Sequence, residues 1–184
     1  MHIAINFVLF QVGWFAAVTG AANRMEWLAV SSIALIIIVH LLLVKHRSRE
    51  IKLIVAAGLT GFIVDSLLIT QGVFSPASYS AVLGPLPCWL LALWMLFAIT
   101  INHSLGWLGR HYILQAVAGL VFAPMAYYAG YKMQALDIGG GSQFYVSLLI
   151  IGICWMFIIP LLFKLATIIN HRSTSNLDSV SFLH

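Results

Sequence analysis

Charged side chains are scarce in this sequence. Of its 184 residues only 8% are Asp, Glu, Lys or Arg, whereas 62% are hydrophobic. A soluble domain carries roughly a quarter charged residues, because its surface has to face water. This chain has too little charge for a water-facing exterior, so we expect lipid to surround most of it.

Cysteine and cofactor motifs are scarce as well. Cys88 and Cys154 show no CxxC or CxxH spacing, and we expect two small apolar side chains without a disulfide. The triple glycine at 139–141 lacks the phosphate-loop pattern, and no other cofactor motif is present, so we expect no cofactor.

The net charge of +4 comes from basic residues in one short connection and near helix ends. That placement is typical of membrane topology determinants and argues against nucleic-acid binding.

Six long apolar stretches are present instead. A bilayer core of ~30 Å requires about 20 mostly apolar residues per helix. The stretches that qualify are residues 3–22, 27–44, 51–72, 86–105, 112–130 and 144–169. The sequence therefore predicts an all-α integral membrane bundle of six transmembrane helices. We expect a single transmembrane domain over residues 1–170 and a short flexible cytoplasmic tail over 171–184.

The basic residues predict the orientation. If the stretches alternate in direction, one side of the membrane holds Lys45, Arg47, Arg49, Lys52, Arg110, Lys164 and Arg172, and the other holds Arg24 and Lys132. The richer side is expected in the cytoplasm, which puts both termini there and the protein in a bacterial inner membrane. No basic residue precedes the first stretch, which is also long for a signal peptide, so we expect it to remain as a helix.

Asp65 is an ionisable residue inside the third predicted span. A charged aspartate there costs about 2.5–3.5 kcal/mol on insertion scales, so its side chain should face protein or water. It shares a helical face with Gly58, Gly61, Leu68 and Gly72, where another helix can approach closely. Two interpretations remain open. Asp65 either makes a helix–helix hydrogen bond, or it handles a proton or contacts a substrate.

A second polar set lies near the predicted inner interface. It consists of Asn6, His40, Asn102, His103 and His111. Three histidines at one depth suggest zinc, but no HExxH or HxxxH pair is present and Asp65 lies far away, so we expect no metal. These residues either cap helices at the headgroup level or form a pocket for a lipid headgroup or an anionic substrate, with Arg110 nearby.

Three further polar residues are candidates for substrate contact. Gln11 lies at mid-membrane on the face of Trp14, where we expect it to hydrogen-bond another helix. Gln115 lies on a stripe of small and polar residues in the fifth span. We interpret this stripe first as a face that packs against another helix and second as the wall of a cavity. Tyr127 follows Pro124, which should kink that helix, and should lie near the membrane interface.

Several segments resemble a family of bacterial membrane proteins, domain of unknown function 2878. They are residues 6–16 (NFVLFQVGWFA), 65–68 (DSLL), 87–98 (PCWLLALWMLFA) with 102–105 (NHSL), and 123–130 (APMAYYAG). The last is similar to a Gly-Pro-x-Ala-Tyr-x-x-Gly segment, with Ala123 in place of the first glycine. The resemblance implies no assigned activity and inclines the expectation toward lipid. Its signature positions include Asn6, Gln11, Trp14, Asp65, Asn102, His103, Pro124 and Tyr127.

Three classes of function remain open. The first is a membrane enzyme or accessory protein that acts on a lipid or another apolar substrate. Its catalytic candidates are Asp65, His103 and Asn102, and its substrate-binding candidates are Asn6, Gln11, His40, His111, Gln115 and Tyr127. The second is a small transporter in which Asp65 takes up and releases a proton. The third is a structural or partner-binding membrane subunit without catalysis, in which the polar residues only fasten helices. The lipid bilayer is the expected partner in each case, and protein partners are left open.

Overall fold

Six α-helices make up most of the part of the chain that the structure describes. The computed structural model describes residues 3–77 and 84–181, with side chains described up to His171. The helices are α1 (Ile3–Ala22), α2 (Glu26–Leu43), α3 (Arg47–Thr70), α4 (Cys88–Ile101), α5 (Tyr112–Lys132) and α6 (Ser142–Ser181). A 3₁₀ helix spans Gly106–Arg110, and two short strands, β1 (Ser75–Pro76) and β2 (Leu136–Asp137), pair antiparallel. The predicted all-α architecture is confirmed.

The fourth helix differs from the prediction. Five helices, α1, α2, α3, α5 and α6, are long and apolar enough to cross a membrane. In contrast, α4 has only 14 residues, about 21 Å at a rise of 1.5 Å per residue, against a bilayer core of ~30 Å. The predicted span 86–105 is therefore helical only in its middle part. The bundle has six helices, of which five are long enough to be spans.

Helix α4 can be short because it lies at the centre of the bundle. It packs against α1, α2, α3 and α6, and nine of its residues are buried. Its ends find polar partners in the protein: Glu26 Oε1 accepts the Trp89 backbone N–H at 3.3 Å, and Asn6 Nδ2 donates to the Ile99 carbonyl at 3.0 Å. Terminal N–H and C=O groups of a helix need such partners when water is excluded.

The two ends of the bundle are distinguished by their contacts. The strand end holds β1 and β2, which join the α3–α4 and α5–α6 connections, together with the starts of α2 and α4. The His–Glu end holds the start of α1, the end of α2, the start of α3 and the end of α4, joined through Asn6, His40, Glu50 and His103. Consecutive helices thus run in opposite directions.

Helix α6 continues to Ser181, well into the segment 171–184 that the sequence predicts as a tail. Residues 182–184 and the side chains beyond His171 lie outside the described part, so the flexibility of that tail stays a prediction. Cys88 and Cys154 lie half-buried on α4 and α6 and are not joined by a disulfide, as expected.

Helices α5 and α6 pack closely through two glycines. A Cβ atom added at Gly119 would overlap the Trp155 backbone carbonyl, and one added at Gly152 would lie 2.9 Å from the Leu120 carbonyl oxygen. Each glycine therefore allows one helix to touch the backbone of the other.

We predict that Gly119→Ala lowers the melting temperature of the purified protein. The added methyl group has to push α5 and α6 apart, and overpacking of this kind costs about 1–3 kcal/mol. Thermal unfolding in detergent, followed by tryptophan fluorescence, measures the change. The matched control is Gly140→Ala, because an added Cβ there meets nothing within 4 Å. Equal melting temperatures for the two variants would contradict the packing described.

Candidate functional site

The side chain of Asp65 joins three helices. It is fully buried on α3. Trp94 Nε1 on α4 donates to Asp65 Oδ2 at 2.7 Å, and the Tyr127 hydroxyl on α5 donates to Asp65 Oδ1 at 2.8 Å. The helix–helix hydrogen bond expected of Asp65 is present, and it is made twice.

The residues around Asp65 hold both donors in place. Gly61 lies one turn before Asp65, and any side chain there would overlap the Trp94 ring, so the glycine lets the indole reach the carboxyl group. The Trp94 ring stacks on Trp155 of α6, with centroids 4.5 Å apart and an interplanar angle of 23°. The Tyr127 ring packs edge-on against Phe74 at 5.1 Å. The polar contact is thus enclosed by aromatic rings.

Asp65 also lines a cavity of about 440 Å³, which we call the lateral cavity. Its walls come mainly from α1, α4, α5 and α6. The polar groups in the lining are Gln11, Asp65 and Tyr127, and the aromatic ones include Phe10, Trp14, Phe15, Trp89, Trp94, Phe97, Phe122 and Trp155. Its volume is within the range of about 300–1,000 Å³ usual for small-molecule sites, and a mostly apolar wall with a few polar groups is the usual lining.

The lateral cavity opens on the side of the bundle. Phe15 on α1 and Phe122 and Met125 on α5 belong to its lining and are also exposed, at 54%, 65% and 58%. The opening therefore lies between α1 and α5. That surface is formed by two apolar helices long enough to cross a membrane, so it faces the bilayer.

Gln11 does not make the hydrogen bond to another helix that the sequence predicts, as far as the described residues show. Its side chain is half-buried on α1 and lines the lateral cavity. Within the described part of the chain, its amide group makes no hydrogen bond to another helix. Gln11 therefore offers one donor group and one acceptor group toward the cavity.

A second cluster lies at the His–Glu end. His40 Nε2 lies 3.2 Å from Glu50 Oε2, and His103 Nε2 lies 3.4 Å from Glu50 Oε1. Asn102 Nδ2 donates to Glu50 Oε1 at 3.1 Å, and Asn170 Nδ2 donates to Asn102 Oδ1 at 3.3 Å. We call His40, Glu50 and His103 the His–Glu cluster. The predicted neighbours Asn102 and His103 thus lie beside His40: both contact Glu50, and the His103 ring also packs edge to face against the His40 ring.

Glu50 is missing from the predicted site residues. It precedes the predicted span 51–72 and stands among Arg47, Arg49 and Lys52, so it reads as part of a solvated basic connection. The structure starts α3 four residues earlier, at Arg47, and buries Glu50 to 6% exposure. The sequence did contain a signal that could have placed Glu50 near His40. His40 and Glu50 flank a short turn, and residues on both sides of a short turn lie close together.

The remaining candidates neither line the lateral cavity nor belong to the His–Glu cluster. Asn6 is fully buried, and its side-chain amide makes two hydrogen bonds. It donates to the Ile99 carbonyl near the end of α4 and accepts from the Ser104 N–H, just after α4, at 3.2 Å. Gln115 is fully buried and its Nε2 donates to the Leu108 carbonyl at 2.9 Å. His111 is exposed at the start of α5 and is not a member of the His–Glu cluster.

The three catalytic candidates do not converge. Asp65 and Glu50 are 15 residues apart on α3, about 22 Å along the helix axis. Asn102 and His103 contact Glu50, whereas Asp65 lines the lateral cavity. Any chemistry at one site therefore proceeds without direct help from the other.

The chain has long apolar helices, buried polar contacts between them and a cavity that opens on the side of the bundle. These features define a polytopic membrane protein. This chain belongs to the family described as protein of unknown function (DUF2878), whose model matches residues 3–161. The resemblance stated from the sequence is thereby confirmed. Searches of curated proteins and of solved structures found no match.

We predict that Tyr127→Phe destabilises the protein in a way that depends on Asp65. The variant leaves Asp65 Oδ1 buried without its donor, which costs about 1–3 kcal/mol. In an Asp65→Leu background the same change should cost much less, because the acceptor is gone. Melting temperatures of the two single variants and the double variant measure this coupling. Tyr128→Phe is the control, since Tyr128 is 41% exposed on the same helix. A Tyr127→Phe effect of the same size in both backgrounds would disprove the coupling.

Proposed function

We propose that the protein binds a membrane lipid, or another apolar molecule, in the lateral cavity and takes part in its modification. One observation carries the proposal. An aromatic-lined cavity opens toward the bilayer between α1 and α5, and its wall contains Gln11, an amide with no hydrogen-bond partner in the described part of the chain.

The chemistry of the wall supports an amphiphilic ligand. Phenylalanine and tryptophan rings favour an acyl chain or a similar hydrocarbon, because they offer apolar area without polar groups that need satisfying. The amide of Gln11 can hydrogen-bond a carbonyl or hydroxyl group of the ligand. Asp65 is the ionisable group nearest to such a ligand, and it is the catalytic candidate for this cavity.

The position of the opening supports entry from the membrane. A lipid that enters between α1 and α5 leaves one apolar environment for another, so its chain never crosses water. We place the protein in a bacterial inner membrane with both termini in the cytoplasm, because Lys45, Arg47 and Arg49 lie at the His–Glu end. In that orientation, Asp65 lies in the outer half of the membrane.

A structural subunit is the second candidate. Both carboxyl oxygens of Asp65 accept hydrogen bonds from other helices, which is what a fastening residue needs. Proton-coupled transport by Asp65 fits less well, because a transported proton needs a path to a side chain that is fully buried and already paired.

We predict that Ala126→Trp reduces lipid labelling by at least about tenfold, equivalent to ~1.4 kcal/mol of binding. Ala126 lines the lateral cavity, and an indole there fills part of it. Membranes containing the protein are labelled with a photoreactive fatty acid, and the labelled peptides are mapped by mass spectrometry. The wild type should be labelled on α1 and α5. Val117→Trp is the control, because Val117 is exposed on α5 and is not a lining residue.

Different outcomes separate the candidates. Equal labelling of Ala126→Trp and Val117→Trp would mean that lipid does not occupy the cavity. No labelling of the wild type above an unrelated membrane protein would favour the structural subunit.

Lipid profiles of cells with and without the gene then test whether the protein takes part in modifying a lipid. A changed acyl or headgroup species that Asp65→Asn fails to restore would support a reaction at the cavity, whereas a restored profile would mean that this modification does not need the Asp65 carboxyl group.

A further inference from the structure

Three metal-ligating side chains meet at the His–Glu end. They come from three separate segments: His40 from the end of α2, Glu50 from the start of α3 and His103 from the turn after α4. Each offers one ligand atom, and these atoms lie within 4.8 Å of one another. His40 is fully buried and Glu50 nearly so.

We propose that the His–Glu cluster binds one divalent transition-metal ion. The ligands are Nε2 of His40, Nε2 of His103 and the carboxylate of Glu50. Two imidazoles and one carboxylate are a donor set that suits Zn²⁺ and Fe²⁺, and three protein ligands leave a coordination position open for water or a substrate atom. The expectation of no metal rested on the absence of an HExxH or HxxxH pair and on the distance of Asp65; Glu50 now supplies a carboxylate beside the histidines.

The distances fit such an ion. Bonds of about 2.0–2.1 Å in a tetrahedral site place neighbouring ligand atoms ~3.3 Å apart. The two nitrogen–oxygen distances, 3.2 Å from His40 Nε2 to Glu50 Oε2 and 3.4 Å from His103 Nε2 to Glu50 Oε1, are close to that spacing and involve both carboxylate oxygens. The imidazole rings lie almost perpendicular, at 84°, with centroids 4.9 Å apart, so the two histidines contact each other edge to face beside the carboxylate.

An unsatisfied nitrogen points to a missing group. His103 Nε2 is buried and close to Glu50 Oε1, yet it is not aligned for a hydrogen bond, and no other described residue supplies one. A buried polar atom without a partner is costly. A metal ion coordinated by His103 Nε2 and by Glu50 would satisfy that nitrogen.

The surroundings of Glu50 resemble the outer shell of a metal site. Asn102 Nδ2 donates to Glu50 Oε1, and Asn170 Nδ2 in turn donates to Asn102 Oδ1, which orients the carboxylate. Both asparagines also line a second cavity of about 270 Å³ between α4 and α6, so polar space adjoins the residues that hold Glu50. His40 Nδ1 lacks a comparable partner among the described residues. Orientation of the site thus depends mainly on Asn102 and Glu50.

The metal site is independent of the proposed lipid function, because the two sites lie about 22 Å apart along α3. The competing explanation is a metal-free arrangement in which Glu50 simply pairs with His40. The two explanations differ in what Glu50→Gln does. The amide keeps the size of the side chain and can still accept a hydrogen bond, but it is a poor metal ligand.

We predict that the wild type binds close to one Zn²⁺ or Fe²⁺ per chain and that Glu50→Gln does not. The protein is purified in detergent without a histidine tag, stripped with a chelator and titrated separately with Zn²⁺ and with Fe²⁺ under anaerobic conditions. Elemental mass spectrometry after desalting measures the bound metal, and the two titrations decide which ion binds. His46→Ala is the control and should bind as the wild type does, because His46 is exposed and outside the cluster.

Stability gives a second readout. Zn²⁺ should raise the melting temperature of the wild type and of His46→Ala, but not of Glu50→Gln, because only a folded site binds the ion. If Glu50→Gln fails to fold, Asn102→Ala replaces it. Loss of this outer contact should weaken metal affinity about 10- to 100-fold. A stripped wild type that takes up no more metal than Glu50→Gln, or an Asn102→Ala variant with unchanged affinity, would overturn the proposal.

Discussion

No water is available inside a bilayer to satisfy a polar group, so a short helix inside this bundle needs polar partners within the protein. The central helix α4 shows how far this constraint shapes the fold. Its first turn is met by Glu26 and its last by Asn6. In its first half, Trp94 donates to Asp65, and just past its end Asn102 donates to Glu50. Polar contacts thereby join α1, α2 and α3 to α4, while apolar packing fills the space between the helices.

Helix α3 carries one carboxylate near each of its ends, and the two have different partners. Asp65 accepts only from neutral donors, an indole and a phenol, and it is surrounded by aromatic rings. Glu50 has two imidazoles and an amide around it. An environment of hydrocarbon and neutral donors suits an apolar ligand, whereas imidazole nitrogens beside a carboxylate suit a cation. The same helix therefore carries carboxylates in two different environments at two depths.

Much of the helical fold could be predicted from the sequence, because apolar length alone identifies helices in a lipid environment. The predicted third span was misplaced at its start, since Glu50 and Arg49 look like residues of a solvated loop. The fourth span was predicted too long, because it was extended through the polar residues Asn102, His103 and Ser104, where the chain in fact turns. Asp65 was recognised as unusual, but its partners Trp94 and Tyr127 were not predictable. Helical periodicity gives the face of each helix and not the order of helices around the bundle.

Close packing between consecutive helices has a mechanical consequence. The most extensive contacts are between α1 and α2, between α3 and α4, and between α5 and α6, so the chain forms three helical hairpins. The lateral cavity lies at the seam between the first hairpin and the third, with α4 of the middle hairpin behind it. A molecule that wedges into this seam separates two hairpins and breaks no contact inside either one. Gly119 and Gly152 keep α5 and α6 in backbone contact, so these two helices would move together if the seam opened.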